Sequence, residues 1–151
     1  MNKVFFDLEW NTGFLDGNSF DEIIEIGAVK TDEEYRQIDG FRRLIRPVIY
    51  RKMNPYIQKI LAITMKDLQG EEPLAAVAKV FFDWCGDCDT LIAWSGNDFG
   101  VLEKNLAHIG MKIPEQLGRY DVQMAYAYRT ENSIRNYALK TAVEAMELPE
   151  P

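Results

Sequence analysis

The amino-acid sequence predicts an α/β domain with a mixed central sheet flanked by helices, and three observations favour this fold class. Three strand-like segments near the amino terminus are joined by short connections, which is typical of an antiparallel meander. Strand and helix patterns alternate later in the chain, which favours parallel additions to the same sheet. A length of 151 residues with 47% apolar residues suits one core, so we expect a single domain over residues 1–151.

Each element follows from a local hydrophobic pattern. Short apolar runs bounded by turn residues predict strands, and apolar residues at helical spacing predict helices. Leu74, Val77, Ala78 and Phe81 are spaced in this way after Pro73. In chain order we predict strands over 4–8, 23–31, 40–47 and 91–94, and helices over 56–61, 73–84, around 101–109, over 122–129 and over 133–146.

Asp7 and Glu9 are the first candidate site residues. Residues two apart on a strand point the same way, so both carboxylates lie on one face of an apolar strand. Their repulsion and the cost of burying unpaired charge favour a bound cation, for which hard Mg²⁺ or Mn²⁺ is suited. The same Asp-x-Glu pattern recurs at Asp32 and Glu34 in a polar stretch typical of a solvated turn. The pattern alone is therefore compatible with a metal site or a structural role.

Asp98 is the third candidate. It follows the short strand 91–94 and a tight turn at 95–97, and it falls in the first turn of the next helix. Free amides and the helix dipole favour a negative charge there. An isolated aspartate in this position is more simply a helix cap, whereas together with Asp7 and Glu9 it indicates a site of three carboxylates.

These motifs together resemble the DEDD superfamily of 3′-to-5′ exonucleases. Asp-Leu-Glu-Trp-Asn at 7–11 is similar to its first motif and Trp-x-Gly-x-Asp-x-x-x-Leu at 94–102 to its second, most similar to the branch that trims structured RNA ends and histone messenger RNA. Residues 63–68 and 120–123 are also similar, and the resemblance runs from residue 3 to about 148. It implies a ribonuclease H-like fold and two-metal hydrolysis of phosphodiester bonds at RNA or DNA 3′ ends.

The resemblance also implies roles for individual residues. Asp7 would bridge two Mg²⁺ or Mn²⁺ ions, Glu9 would hold the ion on the nucleophile side, and Asp98 would act on the metals largely through water. Trp10 would stack on a base, although a place in the core is an equally good explanation. The residues that lie where the family grips the terminal nucleotide are Leu8, Trp10, Asn11 and Thr12.

The third motif of the usual histidine subtype, His-x-x-x-x-Asp, is missing from these residues. The only histidine, His108, is expected on the outer face of the Asp98 helix, where it cannot act as the general base. We therefore expect a chain truncated at its carboxyl end before the last motif, with impaired nuclease activity. The alternative is a noncatalytic member that binds nucleic acid or a protein partner through the same cleft.

Charge and hydropathy restrict the partners. A net charge of −7 argues against tight nonspecific binding to long nucleic acid, but not against a nuclease whose ions supply positive charge. No apolar stretch approaches the roughly 18 residues of a membrane span, and no signal peptide is recognisable, so we expect a cytoplasmic protein without a membrane partner. A basic cluster would either follow a phosphate backbone or protect a strand edge; it comprises Arg42, Arg43, Arg46, Arg51 and Lys52.

Cys85 and Cys88 form a rival motif that resembles the redox centre of thioredoxins and would imply a thiol oxidoreductase. In thioredoxins the motif opens a helix, whose amino end lowers the thiol pKa. Here it would close the 73–84 helix, where the dipole has the opposite effect. We expect Cys85 in the core and Cys88 without structural consequence. Two cysteines and the distant His108 also cannot fill a four-coordinate zinc site.

Overall fold

A five-stranded mixed sheet forms the centre of the molecule in the computed structural model, which describes residues 1–131 and 137–149. The first three strands form an antiparallel meander, and the last two add in parallel. The strand order across the sheet is β3-β2-β1-β4-β5, with β1 (Lys3–Leu15), β2 (Asn18–Thr31), β3 (Gln37–Leu44), β4 (Thr90–Ala93) and β5 (Gly118–Asp121). The predicted mixed sheet is therefore confirmed.

Six helices are present among the described residues. The hydrophobic patterns located most of them, but α2 is a single turn closed by a capping box between Thr64 and Asp67, too short for a periodic signal. The predicted helix over 133–146 begins at Leu139 within the described part, and its expected first residues, 133–136, lie outside that part. The helices are α1 (Pro55–Leu61), α2 (Met65–Leu68), α3 (Leu74–Cys85), α4 (Gly96–His108), α5 (Val122–Glu131) and α6 (Leu139–Ala145).

The main core lies between the sheet and the helices α3 and α4. Val4, Phe6 and Leu8 point from β1 into this core because alternate strand residues share a face. Phe6 meets Phe99 of α4 edge to face, with ring centroids 5.1 Å apart. Asp7 and Glu9 therefore lie on the opposite face of the sheet.

A smaller apolar cluster covers part of that opposite face. Ile24 packs there with Met53 and Leu68, beneath α1 and α2. A β-bulge makes this possible: Glu9 pairs with Glu25 but Trp10 pairs with Ile23, so Ile24 is an extra residue on β2. Ile23 can then pack in the main core while its neighbour Ile24 packs on the other side.

β1 is longer than the sequence indicated. It runs to Leu15 and turns into β2 through Asp16 and Gly17, which have φ of 50° and 80°. Positive φ at both central residues is typical of the tight hairpin turns that match strand twist. The predicted end of the first strand at residue 8 is wrong, since cross-strand pairing with β2 continues to Leu15.

None of the helices among the described residues has the length and hydrophobicity of a membrane span.

Candidate active site

Asp7 and Glu9 line a pocket on the sheet face opposite the main core. Asp7 pairs with Gly27 across the β1–β2 ladder, and Glu9 pairs with Glu25. The pocket has a volume of about 240 Å³. Its lining combines acidic, basic and apolar side chains, namely Asp7, Glu9, Glu25, Gly27, Arg42, Leu61 and Ile63.

Asp98 reaches β1 from the first turn of α4. Its side chain is buried; Oδ1 accepts a hydrogen bond from the Leu8 amide at 3.3 Å, and Oδ2 accepts one from the Ser95 hydroxyl at 3.2 Å. β4 pairs with β1 only up to Phe5, so Asp98 binds the β1 backbone beyond the last β1–β4 pair. The fold thus holds Asp98 against the residue that separates Asp7 from Glu9.

The three carboxyl groups have raised pKa values. Burial is the largest cause for Asp7, followed by the charge of Glu25. Burial also comes first for Glu9, with Asp7, Glu25 and Asp98 adding to the effect. For Asp98, burial and the charge of Asp7 raise the pKa, against the opposing hydrogen bonds from Leu8 and Ser95. Like charges are therefore concentrated here, a condition that a bound cation relieves.

The donor chemistry fits a hard divalent ion. All three candidates offer carboxylate oxygens, the ligands that Mg²⁺ and Mn²⁺ prefer. The described residues nevertheless contain no group of three His, Cys, Asp or Glu side chains already gathered into a metal site. A shared ion would require these side chains to come closer together than they are in the structure.

Residues 4–150 match the profile of the ribonuclease T family, described as exonuclease. The chain belongs to this exonuclease family. It is also 34% identical over 112 residues to the PolC-type DNA polymerase III of Clostridium perfringens (strain 13 / Type A). The match covers 73% of this chain and only 7% of that much longer protein.

Solved structures share the fold of this exonuclease domain. A full-length 3′-exonuclease matches with a TM-score of 0.82, at 15% identity over 99% of this chain and 72% of its own. The nuclease domain of 3′hExo, a DEDDh family member bound to rAMP, has a TM-score of 0.74, at 15% identity over 97% and 79% of the two chains. E. coli exonuclease I in complex with a dT13 oligonucleotide has a TM-score of 0.72, at 16% identity over 99% and 36%. The DEDD resemblance and the ribonuclease H-like fold are confirmed.

The four residues expected at the terminal nucleotide have intramolecular contacts in this exonuclease domain. Leu8 is buried in the main core, and Trp10 is half-buried against it. Asn11 donates to the carbonyl of Lys52 at 3.0 Å and accepts from the amide of Asn54 at 2.8 Å. The Thr12 hydroxyl donates a hydrogen bond to the Asp21 carboxylate at 2.8 Å. Their role toward substrate stays a prediction.

Glu25 and Arg42 also line the pocket; the sequence did not single out Glu25, and it indicated Arg42 only as part of the basic cluster. The two side chains form an ion pair through the Arg42 Nε and the Glu25 Oε1. A charged residue inside the apolar run of residues 23–26 was a usable signal for Glu25. Within the basic cluster, Arg43 lies over the Phe41 ring at 5.5 Å and Arg46 donates to the Glu71 carbonyl at 3.1 Å, and the role of the cluster stays a prediction.

His108 is remote from the carboxylates, as predicted. It lies in the last turn of α4, exposed and 5.6 Å from the Phe20 ring. Asp98 lies in the first turn of the same helix, ten residues earlier, which corresponds to about 15 Å along the axis. This histidine cannot reach the Asp7 pocket.

The cysteine motif closes α3, as predicted, because the helix ends at Cys85. Cys85 is buried, and burial followed by the charge of Cys88 raises its thiol pKa to about 12. Cys88 is buried too, with 3% of its surface exposed, because its side chain also packs in the main core. The expectation that Cys88 has no structural consequence is therefore wrong.

Proposed function

We propose that this chain is a metal-dependent 3′-to-5′ exonuclease domain that removes nucleotides from RNA or DNA ends by a two-metal mechanism. The observation that carries the proposal is the hydrogen bond from the Leu8 amide to Asp98, which brings a third carboxylate from residue 98 to the strand that bears Asp7 and Glu9. The raised pKa values of these groups support a cation as their natural partner.

Asp7 and Glu9 would hold the ions directly, since of the three candidate carboxylates these two line the open pocket. Asp98 has both oxygens engaged by Leu8 and Ser95, which suits a contact through water. Bound Mg²⁺ or Mn²⁺ would supply hydroxide near neutral pH and stabilise charge on the attacking and leaving oxygens. The partner is a nucleic-acid 3′ end, and the cytoplasmic location expected from the sequence stays a prediction.

A general base is what residues 1–151 lack under this proposal. His108 is at the far end of α4, and no His-x-x-x-x-Asp segment occurs in the sequence. Loss of a general base typically costs a factor of roughly 100 to 10,000 in rate. We expect residues 1–151 alone, as a single domain, to bind metal weakly and to turn over slowly.

A noncatalytic binding module of the same fold is the second candidate function. Such a module would bind a nucleic-acid end or a protein through the same cleft, and residues 1–151 contain no His-x-x-x-x-Asp segment. The thiol oxidoreductase alternative has no comparable support, since both cysteines are buried.

The first experiment is calorimetric titration of Mn²⁺ into the wild-type chain, Asp7→Asn and the control Glu34→Gln. Glu34 belongs to the second Asp-x-Glu pattern and is exposed in a turn. Wild type and control should bind, and Asp7→Asn should not. Absence of binding to the wild type at millimolar Mn²⁺ would overturn the exonuclease proposal.

The second experiment measures shortening of 5′-labelled single-stranded RNA and DNA with Mn²⁺. Residues 1–151 should trim slowly from the 3′ end, added imidazole should accelerate the reaction by supplying a base, and Asp7→Asn should be inactive. A longer form of the protein that carries His-x-x-x-x-Asp should be fast. Rapid, Asp7-dependent trimming without imidazole would refute the impairment, and oligonucleotide binding with no trimming in any form would favour the noncatalytic alternative.

A further inference from the structure

Arg42 faces the acidic residues across the pocket because of the strand register. Asp7 pairs with Gly27 on β2, and Gly27 pairs with Arg42 on β3, so the three residues form one row across the sheet. Residues in one row point to the same face. Asp7 and Glu9 on β1 thus stand on one side of the pocket and the Arg42 guanidinium on the other, with Gly27 of β2 as the floor between them.

Gly27 leaves the floor of the pocket open, although the backbone conformation at this position does not require a glycine. Its φ lies outside the left-handed region, and an added Cβ would meet nothing nearer than the Asp7 carbonyl oxygen at 4.0 Å. An added Cβ would therefore fit the strand, but a larger side chain at this position would fill the space between Asp7 and Arg42. Because glycine has no side chain, position 27 leaves the pocket of about 240 Å³ open.

The Arg42 guanidinium is anchored at one end and available at the other. Its Nε donates to Glu25, whose side chain is only 11% exposed, while the Arg42 side chain is 76% exposed. Among residues 1–131 and 137–149, the two terminal nitrogens of Arg42 form no hydrogen bond. An arginine offers five N–H donors in a planar fork that matches the oxygens of a phosphate.

We infer that Arg42 binds a phosphate group of the substrate strand, with Glu25 as the positioning residue for its guanidinium and Gly27 providing the room. The inference rests on the proposed function in taking the bound strand to be a substrate. Binding of the phosphate by Arg42 does not require that the strand is cleaved. A phosphodiester that enters a pocket lined by Asp7, Glu9 and Glu25 meets like charge, on a chain with net charge −7. An opposing guanidinium offsets that repulsion and forms charge-assisted hydrogen bonds.

The test measures binding of a fluorescent single-stranded RNA decamer by anisotropy, at several salt concentrations and with Ca²⁺. Arg42→Gln should weaken binding on the order of tenfold, and it should reduce the slope of log K against log salt by about 0.7. Arg42→Lys should restore the slope but only part of the affinity, because a lysine lacks the fork. The control Arg43→Gln, whose side chain lies over Phe41, should bind like wild type.

A second pair of variants tests the pocket without removing charge. Gly27→Val should weaken decamer binding while leaving the melting temperature close to that of wild type. The control Gly40→Val should leave binding unchanged, since Gly40 does not line the pocket and its added Cβ meets nothing closer than 3.9 Å. Unchanged binding in Gly27→Val would overturn the inference.

The outcomes separate the two proposals. If Arg42→Gln and Arg43→Gln bind the decamer equally in a chain that binds Mn²⁺, the inference fails and the exonuclease proposal stands. If Arg42→Gln also loses Mn²⁺ binding, Arg42 shapes the metal site instead, and the inference is overturned. If the wild type binds no Mn²⁺ but Arg42→Gln weakens decamer binding, the exonuclease proposal fails and Arg42 remains a phosphate-binding residue.

Discussion

The Leu8 amide donates a hydrogen bond to Asp98 Oδ1 over 3.3 Å, joining two residues 90 positions apart. The bond lies just past the point where β4 stops pairing with β1 at Phe5. A carboxylate thus serves the strand as a backbone partner and, at the same time, adds negative charge beside Asp7. The Asp98 side chain therefore contributes both to the stability of the fold and to the proposed metal site.

Asp98→Ala and Asp98→Asn should separate these two contributions. The alanine variant leaves the buried Leu8 amide without its acceptor, which should lower the free energy of unfolding by about 1–3 kcal/mol. Asparagine keeps an oxygen for Leu8, so its stability should stay near that of wild type, while Mn²⁺ binding is weakened. Urea denaturation and calorimetry measure the two effects, and an alanine variant as stable as wild type would contradict the role assigned to this bond.

Asp7→Asn should stabilise the metal-free protein at neutral pH. Burial and the charge of Glu25 raise the pKa of Asp7, so the folded state favours its protonated form. The protonated Asp7 therefore makes its full contribution to the free energy of unfolding below the pKa of the unfolded state, about 4. This contribution is lost as the pH rises through the higher pKa of the folded state. Thermal denaturation in a chelator should give a higher melting temperature for the variant at pH 7 and no difference at pH 3.5.

With Mn²⁺ at pH 7, the wild type should have a higher melting temperature than Asp7→Asn, the reverse of the order in a chelator. A ligand that binds only the folded state raises the melting temperature of the wild type, whereas Asp7→Asn lacks the carboxylate and should not respond. The wild-type response should decline as the pH falls, because protonated carboxyl groups do not bind metal. A variant that Mn²⁺ stabilises as much as wild type would show that Asp7 is not a ligand.

Cys85 and Cys88 should act as core residues and not as redox groups. Cys85→Ala should lower the free energy of unfolding by about 1 kcal/mol through the small cavity it leaves. Cys88→Ser buries a hydroxyl in an apolar cluster and should cost about 1–3 kcal/mol. Iodoacetamide at pH 8 should label neither thiol until denaturant is added, given burial and a Cys85 pKa raised to about 12. Disulfide-reductase turnover that either substitution removes would contradict this.

Glu22 should be required to hold the connection between β3 and α1. Its buried carboxylate accepts hydrogen bonds from the amides of Val48, Ile49 and Tyr50 at 2.6, 2.8 and 2.9 Å. Glu22→Gln places an NH₂ group against these donors and should lower the free energy of unfolding by about 2–3 kcal/mol. The exposed Glu72→Gln is the control and should unfold like wild type; an equal effect in both variants would exclude the anchoring role.

Local patterns in the sequence determined much of the candidate site. Strand alternation placed Asp7 and Glu9 on one face, and a helix start after a short strand placed Asp98 at the head of α4. The end of α3 at Cys85 followed in the same way from helical spacing. These features depend on the periodicity of one segment, which neighbouring residues alone encode.

Only the tertiary structure decided which residues share the pocket. Glu25 lies beside Glu9, and Arg42 lies in the row of Asp7, because a bulge at Glu9 and Trp10 sets the register of β2 and thereby the position of β3. The length of β1 and the burial of Cys88 likewise depend on partners distant in sequence. Register and burial arise from hydrogen bonding and packing between segments, and no single segment carries that information.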